Sequence, residues 1–193
     1  AVAGVLVVVL LCVVLALVAI LLPALGLARR TANMMKEGTQ LRALAQAMQL
    51  YADSNNDILP PHVALLEQQG LLHGSLQQQV TSPHHRGGSA ALALVPPLAG
   101  VGKQPLPPYQ YGDVVFPLAH ADISQLQAPW SEVIVSYSLY TGPENKRQVA
   151  YLDTSVRPHT QVEFGAAVML HNMHMRAANL PELDPTLFSG AHP

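Results

Sequence analysis

Charge is what the first stretch of this chain lacks. From Ala1 to Ala28 no charged side chain occurs, and only Gly4, Cys12, Pro23 and Gly26 interrupt runs of Val, Leu, Ile and Ala. Cysteine is scarce throughout: the single Cys12 lies inside that run, which excludes an intrachain disulfide and a cysteine-based metal cluster. Only 11% of residues are charged, and 10 Lys plus Arg against 12 Asp plus Glu leave a formal net charge of −2, so there is no basic footprint for nucleic acid. Neither a nucleophile elbow, a P-loop, a dinucleotide fingerprint nor an HExxH motif is present, and the chain reads as a non-enzyme without a cofactor.

The uncharged stretch is long. At the helical rise it spans roughly 40 Å, more than the ~30 Å hydrocarbon core of a bilayer. A secretory signal peptide has a basic leader, an apolar core of about 7 to 15 residues and a small-residue cleavage site. This stretch starts apolar and runs about twice that length, so it reads as a membrane segment, and its missing leader as the mark of a processed chain. A buried core helix would need protein on every side, and the remaining chain, one modest domain, is too small to supply it. Pro23 predicts a kink or a melted turn near residues 19–26.

Arg29 and Arg30 end the apolar run at the expected membrane exit, yet the helical pattern continues to about Asp53. Met34, Leu41, Leu44, Ala45, Met48 and Ala52 recur at spacings of three, four and seven, giving this half one dry face. Asp53-Ser54-Asn55-Asn56-Asp57 and then Pro60-Pro61 stop the helix. The same run is like a calcium loop in composition only, since the glycine and terminal glutamate of that motif are missing. The chain thus divides into an apolar membrane helix over 1–28, the amphipathic half of the same helix over 29–53, and a globular domain over 54–193.

Within the domain, short helices are expected over Val63–Gln69, closed by Gly70, and Leu72–Val80. The Pro- and Gly-rich region 82–108 reads as an irregular surface loop anchored by Ala91–Val95. Val114–Leu118, Val133–Tyr140 and Gln148–Leu152 read as strands, with Val133, Val135, Tyr137 and Leu139 on one face. Gly142-Pro143-Glu144-Asn145 makes a hairpin turn, and Val156–His159 a further short strand. Thr160 and Glu163 have capping-box spacing and open a helix to about Asn179, with Val162, Ala166, Met169 and Met173 as its stripe. Leu183, Leu187 and Phe188 are candidate anchors for the tail. The fold class is α+β: a long N-terminal helix on a small antiparallel sheet, with a C-terminal helix.

Nine histidines are many for this length. His84-His85 lie in the irregular loop. His171 and His174, one helical turn apart among Met169, Met173 and Met175, are the candidate ligands for a soft metal such as copper. No third ligand follows from spacing, so no metal site is assigned and the methionines read as core. Trp130 with the tyrosines at 109, 111, 137, 140 and 151 would suit a sugar-binding face, and read instead as half-buried sheet and loop residues.

LLPALGLARR (Leu21–Arg30) followed by LRALAQAMQLYADSNNDILPP (Leu41–Pro61) resembles the N-terminal helix of type IV pilin-like proteins, in particular a pseudopilin-like group common in planctomycete and verrucomicrobial sequences. LLEQQGLLHGSLQQQVTSP (Leu65–Pro83) and ENKRQVAYLDTSVRPH (Glu144–His159) are similar to later segments of the same group. The resemblance implies a pilin-like fold with a prepilin-type cleavage and methylation segment. It implies a homo-oligomeric helical filament at the cell surface, inserted in the cytoplasmic membrane beforehand and assembled by inner-membrane machinery. Packing would fall to Val5, Leu6, Val9, Leu10, Val13, Leu17, Ile20, Leu21, Pro23 and Leu25. The alternative is a single-pass anchored envelope binding protein, or a minor pseudopilin of a type II secretion system.

The chain departs from the family at named places. The family starts with Phe and has Glu at its fifth mature position, a carboxylate that meets a neighbour's N-terminal amine. Here the chain reads Ala1-Val2-Ala3-Gly4-Val5, and setting Pro23 on the family's proline puts Leu6 at the glutamate. The family's Asp-Gly turn is Asp153-Thr154 and its cysteine is Ser82, so the roles of those residues are not carried over. Arg29, Arg30 and Lys36 would alone place the domain in the cytoplasm. The pilin resemblance requires the opposite side, with a basic leader in the precursor to resolve the conflict.

Overall fold

The computed structural model describes residues 2–72, 74–83, 106–139, 141–142 and 145–184. Most of the expected loop 82–108, with His84, His85 and Ala91–Val95, lies outside these. So do Tyr140, Pro143, Glu144, Leu187 and Phe188, and the side chains of Val5 and Leu6.

Helix α1 runs from Val2 to Ser54 without a break and includes Pro23. The melted turn expected near residues 19–26 is therefore absent. Proline removes one hydrogen bond, but the residues on either side keep theirs, and an already propagated helix needs no new nucleus to continue past it. The stop falls where the Asp/Asn run predicts. Ser54 Oγ donates to the Leu50 carbonyl at 3.0 Å and Asn55 Nδ2 to the Tyr51 carbonyl at 2.8 Å, so side chains satisfy the last turn. Asn56 and Asp57 then turn the chain through left-handed φ of 55° and 60°.

Two short helices follow, α2 (Ala64–Gln68) and α3 (Leu76–Val80), the second capped by Ser75. Five strands form one sheet in chain order: β1 (Tyr109–Tyr111), β2 (Val114–Phe116), β3 (Ile134–Ser138), β4 (Arg147–Tyr151) and β5 (Val156–His159). Every neighbour is antiparallel. Strand β1 is not anticipated by the sequence, because three residues beside a proline-rich run carry too short an alternation to register. It pairs with β2 through a turn at Gly112, whose φ is +62° and whose Cβ would stand 2.8 Å from the Val80 carbonyl oxygen. Both facts require glycine there. On the edge strand β5, Pro158 stands opposite Gln148 and lacks the N–H that strand addition would use.

Helix α4 (Gln161–Ala177) opens with the expected capping box: Glu163 N–H donates to Thr160 Oγ1, and Thr160 N–H to the Glu163 carboxylate. The sheet is sandwiched. Val114, Phe116, Val133, Val135, Ala150 and Leu152 pack with Leu41, Leu44, Ala45, Met48 and Ala52 of α1. On the other face Val115, Ile134, Tyr137, Val149 and Tyr151 pack with Phe164 and Val168 of α4. Covering both faces explains why β3 is buried at all five positions.

Two expectations about faces are corrected. Val133 and Val135 face α1, whereas Tyr137 and Leu139 join the α4 side, because an irregularity between Ile134 and Ser136 shifts the pleat by one residue. In α4 the stripe Val162, Ala166, Met169 and Met173 does not face the core. The helix is rotated by about half a turn, so that Phe164, Val168, His171 and Met175 are buried instead.

Candidate functional site

The most unusual surface is the first half of α1. Val9, Leu10, Val13, Leu17, Ile20, Leu21 and Leu25 are all exposed, Ile20 to 71% of its surface, and Pro23 is exposed with them. Exposure is not confined to one side: every described side chain from Val9 to Arg30 is open, around the whole circumference of the helix. Among the described residues, this helix is long and apolar enough to cross a membrane. Arg29 and Arg30 are exposed where the apolar run stops, and Lys36 and Arg42 extend the basic character toward the domain.

The second half of the same helix is fixed by apolar and polar contacts. Leu41, Leu44 and Ala52 are fully buried against the sheet. Gln49 Nε2 donates to the Leu152 carbonyl at the end of β4, and Gln40 Nε2 to the Gln78 carbonyl of α3. A groove of about 380 Å³ marks the place where α1 leaves the domain, between Met34, Gly38 and Arg42 of the helix and Val156 and Pro158 of β5.

Glu37 is the residue that the sequence pattern misplaces. Among the polar residues of α1 it is only 4% exposed, and its Oε1 accepts from Ser82 Oγ at 2.9 Å and from Ser138 Oγ at 2.6 Å. Ser82 N–H in turn donates to Asp113 Oδ2 at 2.8 Å. One buried carboxylate thus ties α1 to the segment after α3 and to the end of β3. Its heptad neighbours Leu41 and Leu44 were the available clue, since Glu37 lies one turn before the first and two turns before the second, on the same face.

His171 and His174 have different surroundings. His171 is fully buried, and its Nδ1 accepts the Ile134 N–H at 3.1 Å. Burial, with a smaller contribution from His174, pushes its imidazole down to about 4. His174 Nε2 is 2.8 Å from the Glu132 carboxylate. Among the described residues no group of three or more His, Cys, Asp or Glu is placed to hold a metal. The tyrosines also divide: Tyr109 stacks between His62 and Phe116 and its hydroxyl accepts the Val63 N–H, while Tyr137 packs on Phe164. Among the described tyrosines, Tyr109 and Tyr111 both meet His62 while Tyr137 and Tyr151 pack in the cluster on the α4 side, and Trp130 stands half exposed.

The geometry presents an apolar rod that continues without a break into a three-layer domain. Comparison with family models, with curated proteins and with solved structures finds no match.

Proposed function

We propose that the chain is a structural, non-catalytic subunit of a type IV pilus-like or pseudopilus filament, held in the cytoplasmic membrane before assembly and packed through its N-terminal helix afterwards. One observation carries this reading: a single helix from Val2 to Ser54 is exposed and apolar all round in its first half and built into the domain in its second. Each large apolar side chain left in water forgoes about 1.5 to 3 kcal/mol of burial, so lipid or other copies must cover this rod. A lone anchor needs about 20 residues and no rigid continuation. The unbroken continuation, packed on the sheet, carries the rod's position to the domain, which suits a subunit whose copies are stacked by a repeated heterologous contact.

The second reading is an anchored envelope binding protein or minor pseudopilin. The uncharged start favours it, because a lone anchor has no use for the carboxylate that Leu6 replaces in the family alignment. Electron microscopy of the full chain, produced with an inner-membrane pilus assembly apparatus, separates the two. Filaments with a core of apolar helices support the first reading; monomers and small complexes alone overturn it.

A further inference from the structure

Helix α4 carries two apolar stripes, and the fold uses one. Phe164, Val168, His171 and Met175 cover the sheet, while Val162, Ala166, Met169 and Met173 lie on the opposite side of the helix. That outer stripe faces solvent, with Val162 83% exposed, Met169 76% and Met173 57%. Its spacing of four, three and four residues is the seam of a two-helix coiled coil.

We propose that the outer stripe of α4 docks against the same stripe of a second copy of the chain, antiparallel, about a two-fold axis between Ala166 and Met169. The stripe is complementary to itself in that register. Val162 meets Met173 and Ala166 meets Met169 of the second copy, a small side chain against a large one at each level. A parallel pair would set methionine on methionine and alanine on alanine, leaving bulges beside gaps. Methionine suits such a surface because its flexible, polarizable side chain adapts to the opposing one.

Two further features agree. Gly165 sits inside α4 beside the stripe, where glycine is unfavourable for a helix, and a Cβ there would meet nothing of its own chain within 4 Å. The fold of one copy does not demand that glycine, whereas the close approach of a second helix uses the space. The stripe itself carries no charge. Glu163 stands near its N-terminal end and Arg176, already paired with Glu182, near its C-terminal end. Antiparallel docking brings unlike ends and opposed helix dipoles together, while parallel docking would set Glu163 beside Glu163. A closed two-fold contact joins two copies and cannot propagate, so it is independent of the filament reading.

The test uses the full chain in detergent micelles, with Cys12→Ser removing the native thiol. Val162→Cys and Met173→Cys proteins are oxidised separately and as a mixture. In the antiparallel pair each cysteine lies about 16 Å along the axis from its own counterpart, too far for a disulfide, and level with the other position. The mixture is therefore expected to give at least about tenfold more disulfide dimer than either protein alone, and adding Met169→Lys to both partners to abolish the excess with the helical circular dichroism unchanged. Equal cross-linking of the single proteins, an excess that survives Met169→Lys, or no cross-linking in the mixture overturns the proposal. The chain is taken from membranes that lack the assembly apparatus, so no filament enters this test: failure here leaves the imaging result standing, and absence of filaments leaves this result standing.

Discussion

The two halves of α1 are one helix with two kinds of surroundings. From Val9 to Arg30 every described side chain is open, and the polar content is nearly nil; from Leu41 to Ala52 the polar content is high, yet Leu41, Leu44, Ala45, Ala47, Met48 and Ala52 are buried. The half richer in polar residues is the better buried. Hydrophobicity alone thus does not decide what is inside a single domain; the pattern does, because only a helix with a polar back can lie on a sheet and leave the other side in water. A helix apolar all round needs a partner the domain cannot supply.

The sharpest way to break this comparison is the same deletion in both halves. Leu44→Ala opens a cavity under the sheet and is expected to lower unfolding free energy by about 2 to 5 kcal/mol, read from denaturant titration of the domain. Leu17→Ala, at a site already open, is expected to leave that titration within about 0.5 kcal/mol. Leu17→Arg reverses the ranking in a different assay. It costs insertion about 2.5 to 3.5 kcal/mol near a membrane midplane, so the membrane-bound fraction should fall while the domain's stability holds. Equal destabilisation by Leu44→Ala and Leu17→Ala would erase the distinction between the halves.

How far the fold was legible follows the same division. The long helix, its stop at the Asp/Asn run, β5 and the capping box of α4 were readable because each rests on local chemistry: periodicity, backbone-competing side chains, a hydroxyl three residues before a glutamate. What escaped was set by tertiary neighbours. The pleat shift between Ile134 and Ser136 moves Tyr137 to the other face, and no alternation in the sequence announces it. In α4 two stripes of equal spacing compete, and choosing between them requires knowing that Phe164 meets Tyr137 on the near face of the sheet, ring centroids 4.9 Å apart. The apolar rod was legible in its residues, whereas Glu37 was not, since a carboxylate on a helix reads as solvated until Ser82 and Ser138 are brought to it from 45 and 101 residues away.

Acidity extends the comparison through the buried histidines of the domain. His171 holds its neutral form in the core, accepting the Ile134 N–H, with a folded value of about 4 against 6.5 when unfolded. A lowered histidine favours folding most above the unfolded value: as pH falls from 6.5 toward 4 the unfolded chain takes up a proton the folded one refuses. The domain should therefore lose stability on the order of 3 kcal/mol across that window, in the same direction as the smaller effect of buried His62. Denaturant titrations at pH 7, 5.5 and 4 check this, with the Cε1 resonance of His171 as the site-specific readout. A His171 resonance that titrates near 6.5 in the folded protein would show that the imidazole is not held neutral by the core.

The smallest effect belongs to the start of the outer helix, where Phe164 and Val168 pack on the far face of the sheet and only Met175, near the other end, joins the core of α1. Thr160 Oγ1 accepts the Glu163 N–H, and the Glu163 carboxylate accepts the Thr160 N–H at 2.7 Å, so two otherwise open donors are satisfied at the start of α4. Thr160→Ala removes one of these bonds and is expected to cost about 1 kcal/mol by denaturant titration, with hydrogen exchange quickening first in the initial turn, near Val162 and Glu163. The Leu41 and Leu44 amides of α1 should keep their protection, since they lie across the sheet from the lost cap. Faster exchange there as well would mean that α4 and α1 open as one unit, and that the sheet between them transmits rather than separates the two layers.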